Sequence, residues 1–144
     1  MGKWLNHAAI SVGDMDKALA FYRDLLGWKV TKDAVNNDFH DIAGLPVAAA
    51  RVVVLSRDED NLELFQWKAP KPQRFGRRVC DLGFTHVAIR VEDLDAVCDT
   101  LRAAGVQFTV PPQGRSAVYC FDFEGNVVEL QRLGTPYPPL PKHS

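Results

Sequence analysis

Two histidines and two glutamates occupy matching places in two similar stretches of this chain. His7 lies in Leu5-Asn6-His7-Ala8-Ala9-Ile10-Ser11-Val12, and His86 lies in Phe84-Thr85-His86-Val87-Ala88-Ile89-Arg90-Val91. Each half then closes on a strand-like stretch with a central glutamate, Asn61-Leu62-Glu63-Leu64-Phe65 and Val127-Val128-Glu129-Leu130-Gln131. Imidazole nitrogens and carboxylate oxygens are donors for a divalent first-row ion, so the four together would make one metal centre. Zn, Ni, Co, Mn and Fe(II) all accept such a donor set, and the residue types do not choose among them. Taken singly, each residue has a plainer reading: a satisfied structural histidine, or a strand glutamate turned to solvent or paired with an arginine. Equivalent placement in a repeat favours the joint reading.

The elements that must position these groups repeat as well. A shift of 79 positions brings His7 onto His86, Val12 onto Val91, Asp14 onto Asp93 and Asp16 onto Asp95. Met15, Ala18, Leu19, Tyr22, Leu25 and Leu26 are spaced as the apolar face of a helix, as are Leu94, Val97, Cys98, Leu101 and Ala104. Asp14 and Asp93 suit the N-cap, and Gly27 and Gly105 suit the left-handed position that ends a helix. Arg51 to Ser56 and Leu62 to Trp67 read as a strand pair, and Ala117 to Phe123 and Asn126 to Arg132 as a hairpin across Glu124-Gly125. Each half therefore reads βαβββ. His7 to Glu63 spans 56 positions against 43 for His86 to Glu129, so the first half carries extra chain, expected as a loop over Asp33 to Ala49. The organisation is a first module at 1–68, a connector at 69–82, a second module at 83–134 and a Pro-rich tail at 135–144, one domain overall.

Side chains alternate across a strand, so His7, Ala9 and Ser11 share one face while Ile10 and Val12 share the other. His86, Ala88 and Arg90 likewise oppose Val87, Ile89 and Val91. The β-branched face is expected to pack beneath a helix, leaving the histidine face as a cavity wall. Glu63 lies with Phe65 and Trp67, and Glu129 with Val127 and Gln131. A glutamate amid an apolar strand needs a cation, a hydrogen-bond network or water.

The bulk properties exclude several classes. The chain has 144 residues, a formal charge of −1 and 47% hydrophobic residues. No global basic field would hold nucleic acid, and Lys68, Lys71, Arg74, Arg77 and Arg78 read as a solvated connector. No apolar run approaches the roughly 20 residues of a membrane helix, and Asn6 and His7 interrupt any leader-like run. Cys80, Cys98 and Cys120 are odd in number and lack a CxxC spacing, which suits free thiols in the cytoplasm.

Asn6 to Val12 with Ala20-Phe21-Tyr22-Arg23-Asp24-Leu25-Leu26-Gly27, and Thr85 to Val91 with Asp122-Phe123-Glu124-Gly125-Asn126-Val127-Val128-Glu129-Leu130, resemble the vicinal oxygen chelate superfamily. That superfamily includes glyoxalase I, methylmalonyl-CoA epimerase, fosfomycin-modifying enzymes, extradiol dioxygenases and bleomycin-resistance proteins. The resemblance covers roughly Leu5 to Leu133. It implies an α+β fold in which two βαβββ modules form an open, curled mixed β-sheet barrel around a central cavity. It also implies one divalent metal ion held by His7, Glu63, His86 and Glu129. Where glyoxalase I carries a Thr- and Asn-containing segment tied to glutathione, this chain has Leu64-Phe65-Gln66-Trp67, which points away from glutathione.

The chemistry expected of such a centre is proton transfer next to a carbonyl through a metal-stabilised enediolate, the work of an isomerase, epimerase or lyase. Glu129 is the first choice for the proton-carrying carboxylate and Glu63 the second. Phe65, Trp67, Tyr119 and Phe121 are candidates for an apolar substrate wall, and His40 for a contribution from the loop. Two alternatives stand beside this reading. One is an Fe(II) ring-cleavage dioxygenase of the extradiol type, using His7, His86 and Glu129; the other is a non-enzymatic small-molecule binding or resistance protein. The expected partners are a small-molecule substrate and a second copy of the chain. Either each chain builds its own site or the two chains share one, and the length of the connector favours a site within one chain.

Overall fold

The computed structural model describes residues 5–38 and 40–136. Its elements follow from the patterning. Strand β1 (Ala8–Ser11) leads to helix α1 (Met15–Leu19), whose N-cap Asp14 accepts the amide hydrogens of Asp16 and Lys17 at 3.0 and 3.2 Å. The sequence spacing predicts a regular helix as far as Leu26. Instead, Ala20–Leu25 is a π-helical segment, marked by the Leu26 amide donating to the Phe21 carbonyl at 3.1 Å. One wider turn lets the adjacent bulky side chains Phe21 and Tyr22 both be buried along with Leu26, which a 3.6-residue period would splay apart. Gly27 then ends the helix at a φ of 75°, where a side chain would be strained.

Strands β2 (Lys29–Asn36), β3 (Ala49–Arg57) and β4 (Asp60–Ala69) complete a mixed sheet in the order β1-β4-β3-β2. β1 and β4 run parallel; the other pairs are antiparallel. The loop expected from Asp33 is strand as far as Asn36. Asp33, Ala34 and Val35 pair with Val53, Val52 and Arg51, and the Arg51 guanidinium donates twice to the Asp33 carboxylate, at 2.9 and 2.7 Å. A short helix α2 (His40–Ala43) follows. α1 lies against β4, and the buried Ile10, Val12, Val53, Leu55, Leu62 and Leu64 form the apolar side of this sheet.

The second sheet repeats the plan. Strand β5 (His86–Val91), helix α3 (Leu94–Ala103), β6 (Ala117–Phe121) and β7 (Val127–Arg132) give the order β5-β7-β6, with β5 and β7 parallel. Asp93 caps α3 by accepting the Ala96 amide at 3.0 Å, and Leu94, Cys98 and Leu101 turn inward one helical turn apart, with α3 against β7. The strand that would correspond to β2 is reduced, among the described residues, to one antiparallel bridge between Phe108 and Cys120. Pro111 and Pro112 lack the amide hydrogens that would lengthen it.

The chain divides into two units. One runs to Thr85 and takes in Asp122–Asn126; the other holds His86–Phe121 and continues from Val127. The first unit is thus discontinuous in sequence, and its second segment is organised by one carboxylate. Asp122, 4% exposed, accepts the Glu124 and Asn126 amides on Oδ1 at 2.9 and 2.8 Å. Its Oδ2 accepts the Asn126 side chain and the buried Tyr22 hydroxyl, both at 2.9 Å. Glu124 accepts the Gly13 amide at 2.6 Å and pairs with Arg74 at 2.8 Å. Three of the connector's five cations have partners while staying largely exposed: Arg74 with Glu124, Arg78 with Asp81 at 2.7 Å, and Arg77 with the Leu82 carbonyl. Among the described residues no helix is long and apolar enough to cross a membrane. Residues 137–144 of the expected Pro-rich tail lie outside the described residues.

Candidate active site

The same register recurs in both sheets. Ala9 lies opposite Glu63 in the parallel β1–β4 pair, and Ala88 opposite Glu129 in the parallel β5–β7 pair. A parallel strand whose histidine sits two residues before a small alanine therefore sets that histidine beside the glutamate, on the face away from the helix. His7 Nε2 lies 3.5 Å from Glu63 Oε2, and His86 Nε2 lies 3.0 Å from Glu129 Oε2. Ile10, Val12, Ile89 and Val91 are buried behind them, as the alternation requires.

The two pairs are built unequally. The side chains of His7 and Glu63 are 40% and 23% exposed, and those of His86 and Glu129 are 26% and 15%. Asn6 Oδ1 meets His7 Nδ1 at 2.7 Å. The His86 ring packs at 4.9 Å from the ring of Tyr119, which stands across β6–β7 from Glu129. Glu129 Oε1 accepts the Gln131 side-chain amide at 2.8 Å. Tyr119, Glu129 and Gln131 share a face because each lies at even spacing on paired strands.

The aromatic candidates fall into two groups. Phe65 and Trp67 stack in the first unit with centroids 5.9 Å apart and planes at 27°, and Trp67 Nε1 donates to Ser11 Oγ at 3.0 Å. Tyr119 belongs to the second unit's pair, and Phe121 lies opposite Val127 in the row that also contains His86. His40 opens α2, but its side chain lies outside the described residues. Among the described residues, no three His, Cys, Asp or Glu side chains gather closely enough to hold a metal ion; the ligand candidates are present as two pairs.

Each pair nevertheless fits half of a metal's donor set. At a ligand distance of about 2.1 Å, two donors lie about 3.0 Å apart at a right angle and about 3.4 Å apart at a tetrahedral one. The observed separations of 3.0 and 3.5 Å match these edges. A histidine–carboxylate hydrogen bond also accounts for the shorter one. Gln131 and Asn6 join the site beyond the residues whose types and spacing mark it in the sequence. The signal for Gln131 was its position two residues beyond Glu129, hence on the same face; nothing in the sequence says that its amide turns back to the carboxylate.

Comparison with known proteins finds relatives of the chain. The family model for the Glyoxalase/Bleomycin resistance protein/Dioxygenase superfamily matches residues 4–130. A 2-epi-5-epi-valiolone epimerase from Actinomyces sp. is 34% identical over 116 residues, which cover 76% of this chain and 63% of that protein. The chain thus spans less than two thirds of that relative's length. A probable lactoylglutathione lyase from Vibrio parahaemolyticus is 30% identical over 135 residues, 86% of each protein. Among solved structures, a glyoxalase family protein from Bacillus cereus superposes with a TM-score of 0.81 over 89% of this chain and 92% of that one. At 20% identity, that likeness is one of fold.

Proposed function

The chain belongs to the Glyoxalase/Bleomycin resistance protein/Dioxygenase superfamily, and on that premise we propose that it is a divalent-metal-dependent lyase or isomerase acting on a small carbonyl compound. The observation that supports this most directly is the repeated register that sets a histidine Nε2 against a glutamate Oε2 in both sheets. His7, Glu63, His86 and Glu129 would hold the ion. When bound, it supplies a Lewis acid that acidifies the carbon next to a coordinated carbonyl. Glu129, with Glu63 second, takes the proton from that carbon and returns it to a neighbouring position, whereas delivery to the opposite face needs the other carboxyl group as donor. The stacked Phe65 and Trp67 offer an apolar platform beside Glu63, and Tyr119 and Phe121 do so on the second sheet. The relatives include an epimerase and a lactoylglutathione lyase, so 2-epi-5-epi-valiolone is the first compound to assay and lactoylglutathione the second, against which the Leu64-Phe65-Gln66-Trp67 segment argues. The protein works as a homodimer in this reading.

The test is metal analysis of protein purified anaerobically, followed by assay of Glu129→Gln. Wild type should retain about one divalent ion per site. A metal-loaded Glu129→Gln protein that folds normally should lose turnover, since an amide ligates weakly and accepts no proton. Wild-type activity in that variant would remove Glu129 as the base. Oxygen uptake with Fe(II) and a catechol would favour ring cleavage instead, and a protein that takes up no metal but binds small molecules would be a binding or resistance protein.

A further inference from the structure

The two histidine–glutamate pairs differ at one position of the repeat. Two residues beyond Glu129 stands Gln131; two residues beyond Glu63 stands Phe65. Strand alternation puts both on the face of their glutamate, but only Gln131 has an amide to offer, and it donates to Glu129 Oε1 at 2.8 Å. With that oxygen occupied, Oε2 is the one left facing His86 Nε2, at 3.0 Å. The imidazole is in turn packed on Tyr119. In the first unit Phe65 stacks on Trp67 instead, and Glu63 stands 3.5 Å from a more exposed His7.

We propose that Gln131 is a positioning residue that holds the Glu129 carboxylate in a one-oxygen orientation, making His86–Glu129 the more rigid half of the metal site. The proposal rests on the metal reading above. A ligand that is already oriented loses less freedom on coordination, and hydrogen-bond partners of metal ligands typically contribute about 10–100-fold in affinity. The Phe65 position supplies no such hold, so the two halves of the donor set retain the ion unequally.

The experiment titrates Zn(II) and Ni(II) against a chromophoric chelator, using wild type, Gln131→Leu and Gln131→Met. Each replacement removes the donor, and methionine keeps the length of the side chain. Both should weaken ion binding by about 10–100-fold. Melting of the metal-free proteins is the second readout: Gln131 is only part-buried, so both Gln131 variants should melt with the metal-free wild type. Unchanged ion affinity in the Gln131 variants overturns the proposal alone. Loss of affinity matched by a fall in metal-free melting assigns Gln131 a merely structural role and also overturns it. Wild-type protein that binds neither ion overturns the metal reading, and this proposal with it.

Discussion

Replacing Tyr22 by Phe removes a single oxygen from the core and tests how the first unit is closed. The Tyr22 hydroxyl is fully buried and donates to Asp122 Oδ2 at 2.9 Å. A buried hydrogen bond to a charged acceptor contributes about 1.5–3 kcal/mol. Asp122 keeps its other three donors in the variant, namely the amides of Glu124 and Asn126 and the Asn126 side chain, so the carboxylate is not left bare. The lower end of that range applies, about 1.5–2 kcal/mol. For a chain of this size that corresponds to a fall in Tm of about 5–8 °C. Asp122→Ala should cost more, about 3–5 kcal/mol, because it takes one acceptor from the hydroxyl and from the turn amides together. Urea unfolding of the two single variants and the double variant measures the coupling. In the Asp122→Ala background, Tyr22→Phe should cost much less than in wild type, since the bond to Asp122 Oδ2 is already gone. A Tyr22→Phe protein within about 0.5 kcal/mol of wild type would refute the reasoning. So would an equal penalty in both backgrounds.

The thiols should separate by burial: Cys80 is exposed, whereas Cys98 and Cys120 are buried, and burial pushes the Cys98 thiol above its ordinary value. A chromogenic disulfide reagent should therefore find one fast thiol per chain and two more only after unfolding. The hydrogen bonds from Arg51 hold the Asp33 carboxyl below the usual carboxylate range. Its contribution is present above the unfolded value of about 4 and is lost as pH falls through the lower folded value. Asp33→Asn should flatten the acid side of a urea-midpoint profile between pH 7 and pH 3; an unchanged slope would show that solvent screening leaves this half-exposed pair without effect. Light scattering should show a homodimer at micromolar concentration, and a monomer alone would contradict that assembly.

The repeat was legible because two short-range rules govern it. Strand parity put His7 with Ala9 and Ser11, and the parallel register then delivered each histidine to its glutamate. The caps at Asp14 and Asp93 followed from residue type. The π segment was not legible, since it answers to the volume of Phe21 and Tyr22 in a particular core rather than to their spacing. Asp33 to Asn36 is polar enough to read as loop, and Arg51, the partner that makes Asp33 tolerable in a strand, lies 18 positions away. The shortened second-half strand was written in Pro111 and Pro112, though the repeat argued for a full one. The role of Asp122 was not legible for a further reason: its donors include a tyrosine 100 positions away, and no local rule connects them.

The discontinuity of the first unit bears on how far the duplication can be undone. A repeat of this kind invites expression of either half as a miniature protein. A chain stopped at Thr85 would retain all four strands of the first sheet and both members of the His7–Glu63 pair. It would lack Asp122–Asn126, so the Tyr22 hydroxyl, the Gly13 amide and the Arg74 guanidinium would each lose its acceptor. Supplying those five residues as a separate peptide would not substitute well, because tethering gives them a local concentration that a free peptide reaches only in excess. The first half depends on residues translated after most of the second, and its completion must wait for them on the ribosome.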